Sequence, residues 1–312
     1  MSIMDFSGKH FLVIGAGISG RAASLALAGH GGSVTLNDMK AIDTAEQPWP
    51  DIKAAGVQLV FGSQETALLD GMDVVVPSPV ISPEIPIMKE AARRGLPIWS
   101  EVEVACRVTD ADMIGITGTN GKTTTTTLVG EIMKATGRQT VVGGNIGYGL
   151  SAQADNLPKE AVVVAELSSF QLEFMHSIKA KAATILNITP DHLDRHHTME
   201  GYAAAKERIF LNQDKGDYAV LNYDDERVRA MAKDMTGTVV YFSTCGEVPE
   251  GAFYRDGQLI LRLHGQDTVV CAETDLHLFG KHNIQNCLAA IRESRGTIGR
   301  MANNYVAYAY SI

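Results

Sequence analysis

Basic charge is scarce in this chain: 27 Lys and Arg stand against 36 Asp and Glu in 312 residues, a formal net charge of −9. That balance excludes the broad basic footprint of a nucleic-acid-binding protein. Cysteine is also scarce. The four (Cys106, Cys245, Cys271, Cys287) are scattered, which fits a reducing compartment better than a disulfide framework. No apolar run approaches the ~20 residues of a membrane helix. The first apolar stretch, at residues 10–14, runs into glycines and is too short for a signal-peptide core. The expectation is a cytoplasmic protein with no membrane or nucleic-acid partner. It must bind anions locally, through backbone N–H groups, a few lysines or metal ions.

What is present is an ordinary globular composition, 45% hydrophobic and 20% charged, of a length that suggests about two domains. Apolar runs near residues 10–14, 33–36, 57–61 and 73–76 alternate with helical stretches at 22–28 and 87–94, and residues 97–99 resume the sheet. This predicts a doubly wound parallel sheet. A second unit opens near Asp110, with buried strands at 113–117, 161–166 and 183–187, another at 218–221, and a helix that stops at Gly137. Near residue 250 the pattern changes to period two. Runs at 252–255, 258–264 and 268–272 are separated by Asp256-Gly257 and Gly265-Gln266, and Asp-Gly between alternating runs is a strong hairpin signal. The fold class is therefore α/β. A Rossmann-like sheet is followed by a central α/β domain of the phosphate-loop type, which carries a small antiparallel meander.

Three groups of residues carry chemistry. Gly15-x-Gly17-x-x-Gly20 lies between a strand and a helix, with Asp38 about 20 residues on, the pattern of a dinucleotide site. A tight turn without ligand is the alternative. Gly118-Thr119-Asn120-Gly121-Lys122-Thr123 also follows a strand and opens a helix. Its backbone N–H groups could cradle phosphates, its lysine neutralise them and its threonine hydroxyl sit on Mg²⁺. Only two residues separate its glycines, where the common pattern has four. Third come polar residues at predicted strand ends, where open α/β sheets hold ligands. Glu166 precedes Leu-Ser-Ser-Phe-Gln, and Asn187-Ile-Thr-Pro-Asp191-His192-Leu-Asp194-Arg195-His196 follows another buried strand. A carboxylate and an imidazole there could hold a divalent ion. A polar loop with a helix cap at Thr189 or Asp191 explains the cluster equally well, and its spacing fits no zinc pattern. Lys206, in a predicted helix, alone reads as a solvated surface lysine. Asn283 and Asn286 fall one helical turn apart, able to read an adenine edge or simply to cap.

Together these motifs resemble the Mur ligases, ATP-dependent amide-forming enzymes of peptidoglycan synthesis. The phosphate loop through Thr124 and Thr125 is shared across much of that family. More discriminating are Gly143-Gly-Asn145-Ile-Gly147, Glu166-Leu-Ser-Ser-Phe-Gln-Leu-Glu173, Leu186-Asn-Ile-Thr-Pro-Asp-His-Leu-Asp-Arg-His196 and Gly280-x-His-Asn-x-x-Asn286-x-Leu-Ala-Ala290. The resemblance spans about residues 5–291. It implies a UDP-substrate-binding domain over residues 1–105, with Ile18, Ser19, Asp38 and Ser78 at the nucleotide, and not a nicotinamide site. It implies an ATP-binding central domain over residues 106–291. There Gly118 to Thr124 hold ATP, Asn283 contacts adenine and Asn145 touches the muramoyl substrate. Thr123, Glu166, His192 and a carbamylated Lys206 would hold two Mg²⁺ ions, with Lys122, His192 and Lys206 in catalytic roles. The implied reaction adds D-glutamate to UDP-N-acetylmuramoyl-L-alanine through an acyl phosphate, in a cytoplasmic monomer with small-molecule partners only. Two departures stand out. Where the family usually has Ser-Pro-Gly-Val, this chain has Ser78-Pro79-Val80-Ile81. After Ile291 the family continues into a third domain, whereas residues 292–312 read as an atypical tail with no helical or strand plan. A fragment that binds ATP and UDP-substrate without turnover is therefore the alternative to an active ligase.

Overall fold

The computed structural model describes residues 3–278 and 280–298. The chain begins with β1 (His10–Ile14), α1 (Ile18–Gly29), β2 (Ser33–Asp38), α2 (Trp49–Ala54), β3 (Gln58–Phe61), β4 (Val74–Pro77), α3 (Pro86–Arg93) and α4 (Glu101–Arg107). It continues with β5 (Asp112–Thr117), α5 (Lys122–Ala135), β6 (Thr140–Gly144), α6 (Leu150–Ala154), β7 (Val162–Glu166), α7 (Ser169–Glu173), β8 (Ala182–Ile185), α8 (Leu193–His196) and α9 (Met199–Glu207). Last come β9 (Tyr218–Asn222), α10 (Glu226–Ala230), β10 (Thr238–Ser243), β11 (Gly251–Arg255), β12 (Gln258–Leu263), β13 (Gln266–Ala272) and α11 (Lys281–Ile298). Among the described residues no helix is long and apolar enough to cross a membrane.

The chain divides into two compact units. The first comprises residues 1–110 together with 147–159 and 170–177, and the second holds the rest. Two short segments from beyond the sequence-read boundary thus cluster with the first unit, and buried carboxylates hold them. Glu101 Oε1 accepts from Ser151 N and Oγ at 2.6 Å each. Glu103, wholly buried, accepts from His176 N at 2.8 Å and from Ser177 N and Oγ at 2.9 and 2.8 Å.

In the first unit four parallel strands run in the order β3-β2-β1-β4. Successive residues of β1 serve opposite faces: Phe11 and Val13 join one apolar cluster, Leu12 and Ile14 the other. Burial on both faces is what a parallel sheet requires, because its crossover helices cover both sides. The predicted strand at 97–99 reduces to a single bridge between Ile98 and Val75. Pro97 has no N–H to continue a ladder, and Ser100 turns the chain at once by capping α4, accepting from Glu103 N at 3.1 Å.

The second unit is a nine-stranded sheet in the order β13-β12-β11-β10-β9-β8-β5-β7-β6. The strands from β6 to β11 are parallel, and the meander joins through β11, which pairs parallel with β10 and antiparallel with β12. Both hairpin turns have positive φ at their two central residues, 50° and 77° at Asp256-Gly257 and 53° and 74° at His264-Gly265. This is the geometry whose twist matches the strands. The second turn is therefore His264-Gly265, one residue earlier than the sequence suggested. Helices α5 and α11 pack together over the core of this sheet, with Val129, Ile132, Cys287, Leu288 and Ile291 buried in one cluster. Helix α11 runs to Ile298, which corrects the expectation that helical order stops near Ile291. The remainder of the predicted tail lies outside the described residues.

Candidate functional site

In the first unit, the loop after β1 is braced by its neighbours. Gly15 N donates to Asn37 O at 2.7 Å and Ala16 N to Asp38 Oδ2 at 2.8 Å. Ser78 N donates to Ile14 O at 2.8 Å and Ser78 Oγ to Gly15 O at 3.2 Å. A Cβ on Gly20 would fall 1.8 Å from Gly15 O, so only glycine lets α1 start this close to the strand. The loop thus brings Ile18, Ser19, Asp38 and Ser78 to the carboxyl ends of β1, β2 and β4. Ile18 and Val80 are exposed there, Ser19 is partly buried and Ser78 is buried. Asp38 also accepts from Lys40 N through its other oxygen at 2.9 Å, so its carboxylate ties two turns together as well as facing the strand ends.

In the second unit, the loop from Gly118 to Gly121 leaves the carboxyl end of β5 and opens α5. Gly118 (φ 151°) and Gly121 (φ 85°) are in the left-handed half of backbone space. Cβ atoms there would meet Leu186 Cβ at 2.9 Å and Asn286 Oδ1 at 2.3 Å. Lys122, first residue of α5, folds back so that Nζ donates to Gly118 O at 3.0 Å and Thr119 O at 2.9 Å. Lys206 reaches the same Gly118 carbonyl from α9, at 2.8 Å. Two lysine amines therefore converge on one peptide oxygen. Burial, opposed by Glu166 and Asp191, lowers the Lys122 pKa. Burial and then the charge of Lys122 bring Lys206 down to about 7. Lys206 is 2% exposed, its Nζ 4.6 Å from the centre of the Tyr202 ring, so it is not the solvated lysine that its helix alone suggested.

Glu166, at the end of β7 and 1% exposed, accepts from Thr123 Oγ1 through Oε2 at 2.9 Å and from Asn145 Nδ2 through Oε1 at 3.0 Å. Thr123, Glu166 and Asn145 thus form one bonded group. Thr124, the next residue of α5, is partly buried. His192 is the left-handed residue (φ 50°) preceding α8, about half exposed, with Nε2 3.5 Å from Asp191 Oδ2. The caps in this region are consequently His192 and Thr198, whose side chain accepts from Gly201 N at 3.0 Å, rather than Thr189 or Asp191. Among the described residues no three His, Cys, Asp or Glu side chains are grouped to hold a metal. On α11, Asn286 Nδ2 donates to Asn283 Oδ1 at 3.2 Å. Asn286 is the one packed behind Gly121, while Asn283 is partly exposed.

The structure adds a brace around this loop. Asn187 clasps the loop on three sides: its Oδ1 accepts from Asn120 N at 2.8 Å, its Nδ2 donates to Asn120 O at 3.1 Å, and its carbonyl accepts from Thr119 N at 3.0 Å. Thr119 Oγ1 pairs with Thr189 O and with the Tyr202 hydroxyl, each at 3.2 Å. Beside this clasp lies a cavity of about 630 Å³ lined by Asn187, Ile188, Asn222, Asp225, Arg227 and Gln285. The motif spacing hinted at Asn187. Nothing in it marked Asn222 or Asp225.

A glycine loop that joins a parallel strand to a helix, with a lysine at the helix start and a threonine bonded to a carboxylate on the neighbouring strand, defines a phosphate-cradle α/β domain. Residues 116–292 match the Mur ligase middle domain, and the chain belongs to the Mur ligase family. Over 293 residues it is 43% identical to the UDP-N-acetylmuramoylalanine–D-glutamate ligase of Pelotomaculum thermopropionicum, and over 296 residues 45% identical to that of Desulfitobacterium hafniense strain Y51. Each alignment covers 94% of this chain and 64% of the relative, so the chain spans about two-thirds of the length of those proteins. Solved structures share the fold. UDP-N-acetylmuramate:L-alanyl-gamma-D-glutamyl-meso-diaminopimelate ligase from Neisseria meningitides superposes with a TM-score of 0.65 at 20% identity, covering 97% of both chains. The UDP-N-acetylmuramate–alanine ligase MurC from Thermotoga maritima gives 0.56 at 20% identity, covering 97% of this chain and 68% of that one.

Proposed function

We propose that this chain is the substrate- and ATP-binding part of a ligase that joins D-glutamate to UDP-N-acetylmuramoyl-L-alanine, working in the cytoplasm as a monomer on small molecules. The observation that carries this is the convergence of Lys122 and Lys206 on Gly118 O beside the bonded group of Thr123, Glu166 and Asn145. Two lysine amines, one buried and one partly buried, lie next to hard oxygen ligands at the mouth of a glycine loop. The relatives' activity and the matching spacing of the family motifs support the same assignment.

In the proposed reaction the alanyl carboxylate attacks the γ-phosphorus of ATP, ADP departs, and an acyl phosphate forms. The D-glutamate amine then attacks the acyl carbon, loses a proton, and inorganic phosphate leaves. Lys122 exchanges its two loop carbonyls for phosphate oxygens. The loop amides not already bonded to Asn187 hold the triphosphate, and Asn145 orients the muramoyl substrate beside Glu166. Positioning and charge neutralisation supply most of the catalysis. Ile18, Ser19, Asp38 and Ser78 bind the UDP end in the first unit, and Asn283 contacts the adenine.

Mg²⁺ fits the residues present. Thr123 Oγ1 and Glu166 Oε2 are a hard oxygen pair, and magnesium is commonly held by one or two carboxylates with the rest of its shell from phosphates and water. When bound, the ion neutralises triphosphate charge. His192 and a carbamylated Lys206 would complete two such sites. Glu166→Ala is expected to weaken Mn²⁺ binding in the presence of ATP while leaving UDP affinity unchanged. Electron paramagnetic resonance of bound Mn²⁺ reads the first and calorimetry the second; an unchanged Mn²⁺ spectrum would remove Glu166 from the metal shell.

Carbamylation of Lys206 requires a neutral amine, and a burial-lowered pKa of about 7 leaves most of it neutral at pH 8, where an ordinary lysine is almost wholly protonated. The amine adds to CO₂ and releases a proton, leaving an anionic carbamate. With ¹³C-labelled bicarbonate, NMR at pH 8 is expected to show a carbamate signal that Lys206→Arg lacks. Its absence in the parent protein would reduce Lys206 to a charge partner of the loop.

A further inference from the structure

The segment that braces the phosphate loop is itself gripped by a turn whose side chains are not among the residues assigned to ATP. Asp225 precedes α10 and caps it, its Oδ1 accepting from Arg227 N and Val228 N at 3.0 Å each. A capping side chain needs only one oxygen for that task. The other, Oδ2, accepts from Ile188 N at 2.8 Å, 37 residues back in the chain. Asn222, at the end of β9 and 2% exposed, donates from Nδ2 to Leu186 O at 2.7 Å. Its Oδ1 accepts from Asp224 N at 2.9 Å, which closes the turn on itself. The carbonyl before Asn187 and the amide after it are thus both gripped by side chains of the β9–α10 turn. Asn187 is the residue that clasps Thr119 and Asn120 by their backbone.

We propose that Asp225, with Asn222, is a positioning residue for the triphosphate site: it fixes Asn187, and through Asn187 the curvature of the loop over residues 118–121. The inference rests on ATP binding at that loop. A cradle of backbone N–H groups binds phosphate well only if the amides are already aimed, because each misdirected amide forfeits a charge-assisted hydrogen bond. Among the described residues Asp225 Oδ2 is the acceptor for Ile188 N, and a serine in its place could still cap α10 but could not reach both amides. An asparagine could cap as well, but would present an N–H₂ group or lose the cap.

The test titrates the chain, with Mg²⁺ present, with a fluorescent ATP analogue and then displaces it with inorganic tripolyphosphate. Wild type, Asp225→Ser, Asp225→Asn and Lys122→Ala are compared, each first checked by circular dichroism and thermal melting. Both Asp225 variants are expected to bind the analogue about tenfold more weakly, the scale of one charged hydrogen bond. Tripolyphosphate should weaken by the same factor. Asp225→Ser, which retains the cap, decides the matter if Asp225→Asn does not fold. Wild-type affinity in a folded Asp225→Ser would overturn the proposal. So would weakened analogue binding with unchanged tripolyphosphate affinity, which would place the effect on the nucleoside. Failure of the underlying ATP assignment looks different: Lys122→Ala would then bind like wild type, and the proposal would fall with it.

Discussion

Lys122→Ala is expected to lower ATP affinity by about a hundredfold or more while the chain stays folded. Lys122 is the cation at the start of α5, and among the described residues its Nζ donates to two carbonyls of its own loop, Gly118 O and Thr119 O. In the proposed ATP complex those bonds would be replaced by bonds to phosphate. Each charge-assisted contact is worth about 1.5–3 kcal/mol, so the loss of two amounts to roughly two decades or more of affinity. The fold has little to lose, because Gly118 O keeps Lys206 at 2.8 Å and Asn187 still clasps the loop. Removing Lys122 should also raise the Lys206 pKa, since the charge of Lys122 is the second cause of its depression. Titration with a fluorescent ATP analogue reads the affinity. Undiminished binding by a folded variant would show that ATP does not use this loop.

Glu293→Leu is expected to stabilise the protein, and by more at pH 8 than at pH 5. Glu293 lies on α11 and is fully buried, and among the described residues neither of its carboxylate oxygens has a hydrogen-bond partner. Burial raises its pKa well above the ordinary carboxylate value, only partly offset by Arg292. The unfolded chain releases this proton near pH 4.5, whereas the folded chain retains it to higher pH. Between those points the unfolded state binds fewer protons, so stability falls as pH rises. Leucine removes that penalty and fills the same space with apolar atoms. A buried, unpartnered polar group costs about 1–3 kcal/mol before ionisation is counted, and 1 kcal/mol shifts the melting temperature of a domain this size by about 2–4 °C. Melting at pH 5 and pH 8 tests both parts. An equal change at the two pH values, or a lower melting temperature at pH 8, would show that Glu293 is not held neutral in the core.

Much of the architecture is legible in local chemistry. The β1–glycine loop–α1 unit, the phosphate loop and the Asp256-Gly257 hairpin announce themselves because each needs particular residues at particular backbone angles. Helix α4 does not: Glu101 to Cys106 are all buried, so it has no polar face to set a 3.6-residue period. Strand β10 is passed over for a different reason. It mixes Thr238 and Tyr241 with Val239 and Val240, and only its pairing with β9 and β11 shows that the meander continues the parallel sheet.

The site divides in the same way. Lys122, Thr123 and Glu166 stand in motifs that mark them as candidates. The burial of Lys206 is invisible in Tyr202-Ala-Ala-Ala-Lys206, because it is produced by Tyr202 one turn earlier and by Thr117 and Gly118 on another element. Asp225 looks like any helix cap until its second oxygen is seen on Ile188. The residues held by one long-range bond are those that sequence spacing does not reveal.

The most direct measurement of the central claim, that ATP phosphorylates the alanyl carboxylate at this loop, is positional isotope exchange. ATP labelled with ¹⁸O in the β,γ-bridge is incubated with the chain, Mg²⁺ and UDP-N-acetylmuramoyl-L-alanine, without D-glutamate. Reversible acyl phosphate formation frees the β-phosphoryl group of bound ADP to rotate. The bridge label should therefore appear in a non-bridging β position, only when the UDP-substrate is present and not with Lys122→Ala. If both ligands are bound at saturating concentration and the label stays in the bridge, the chain does not carry out this step and the account is wrong.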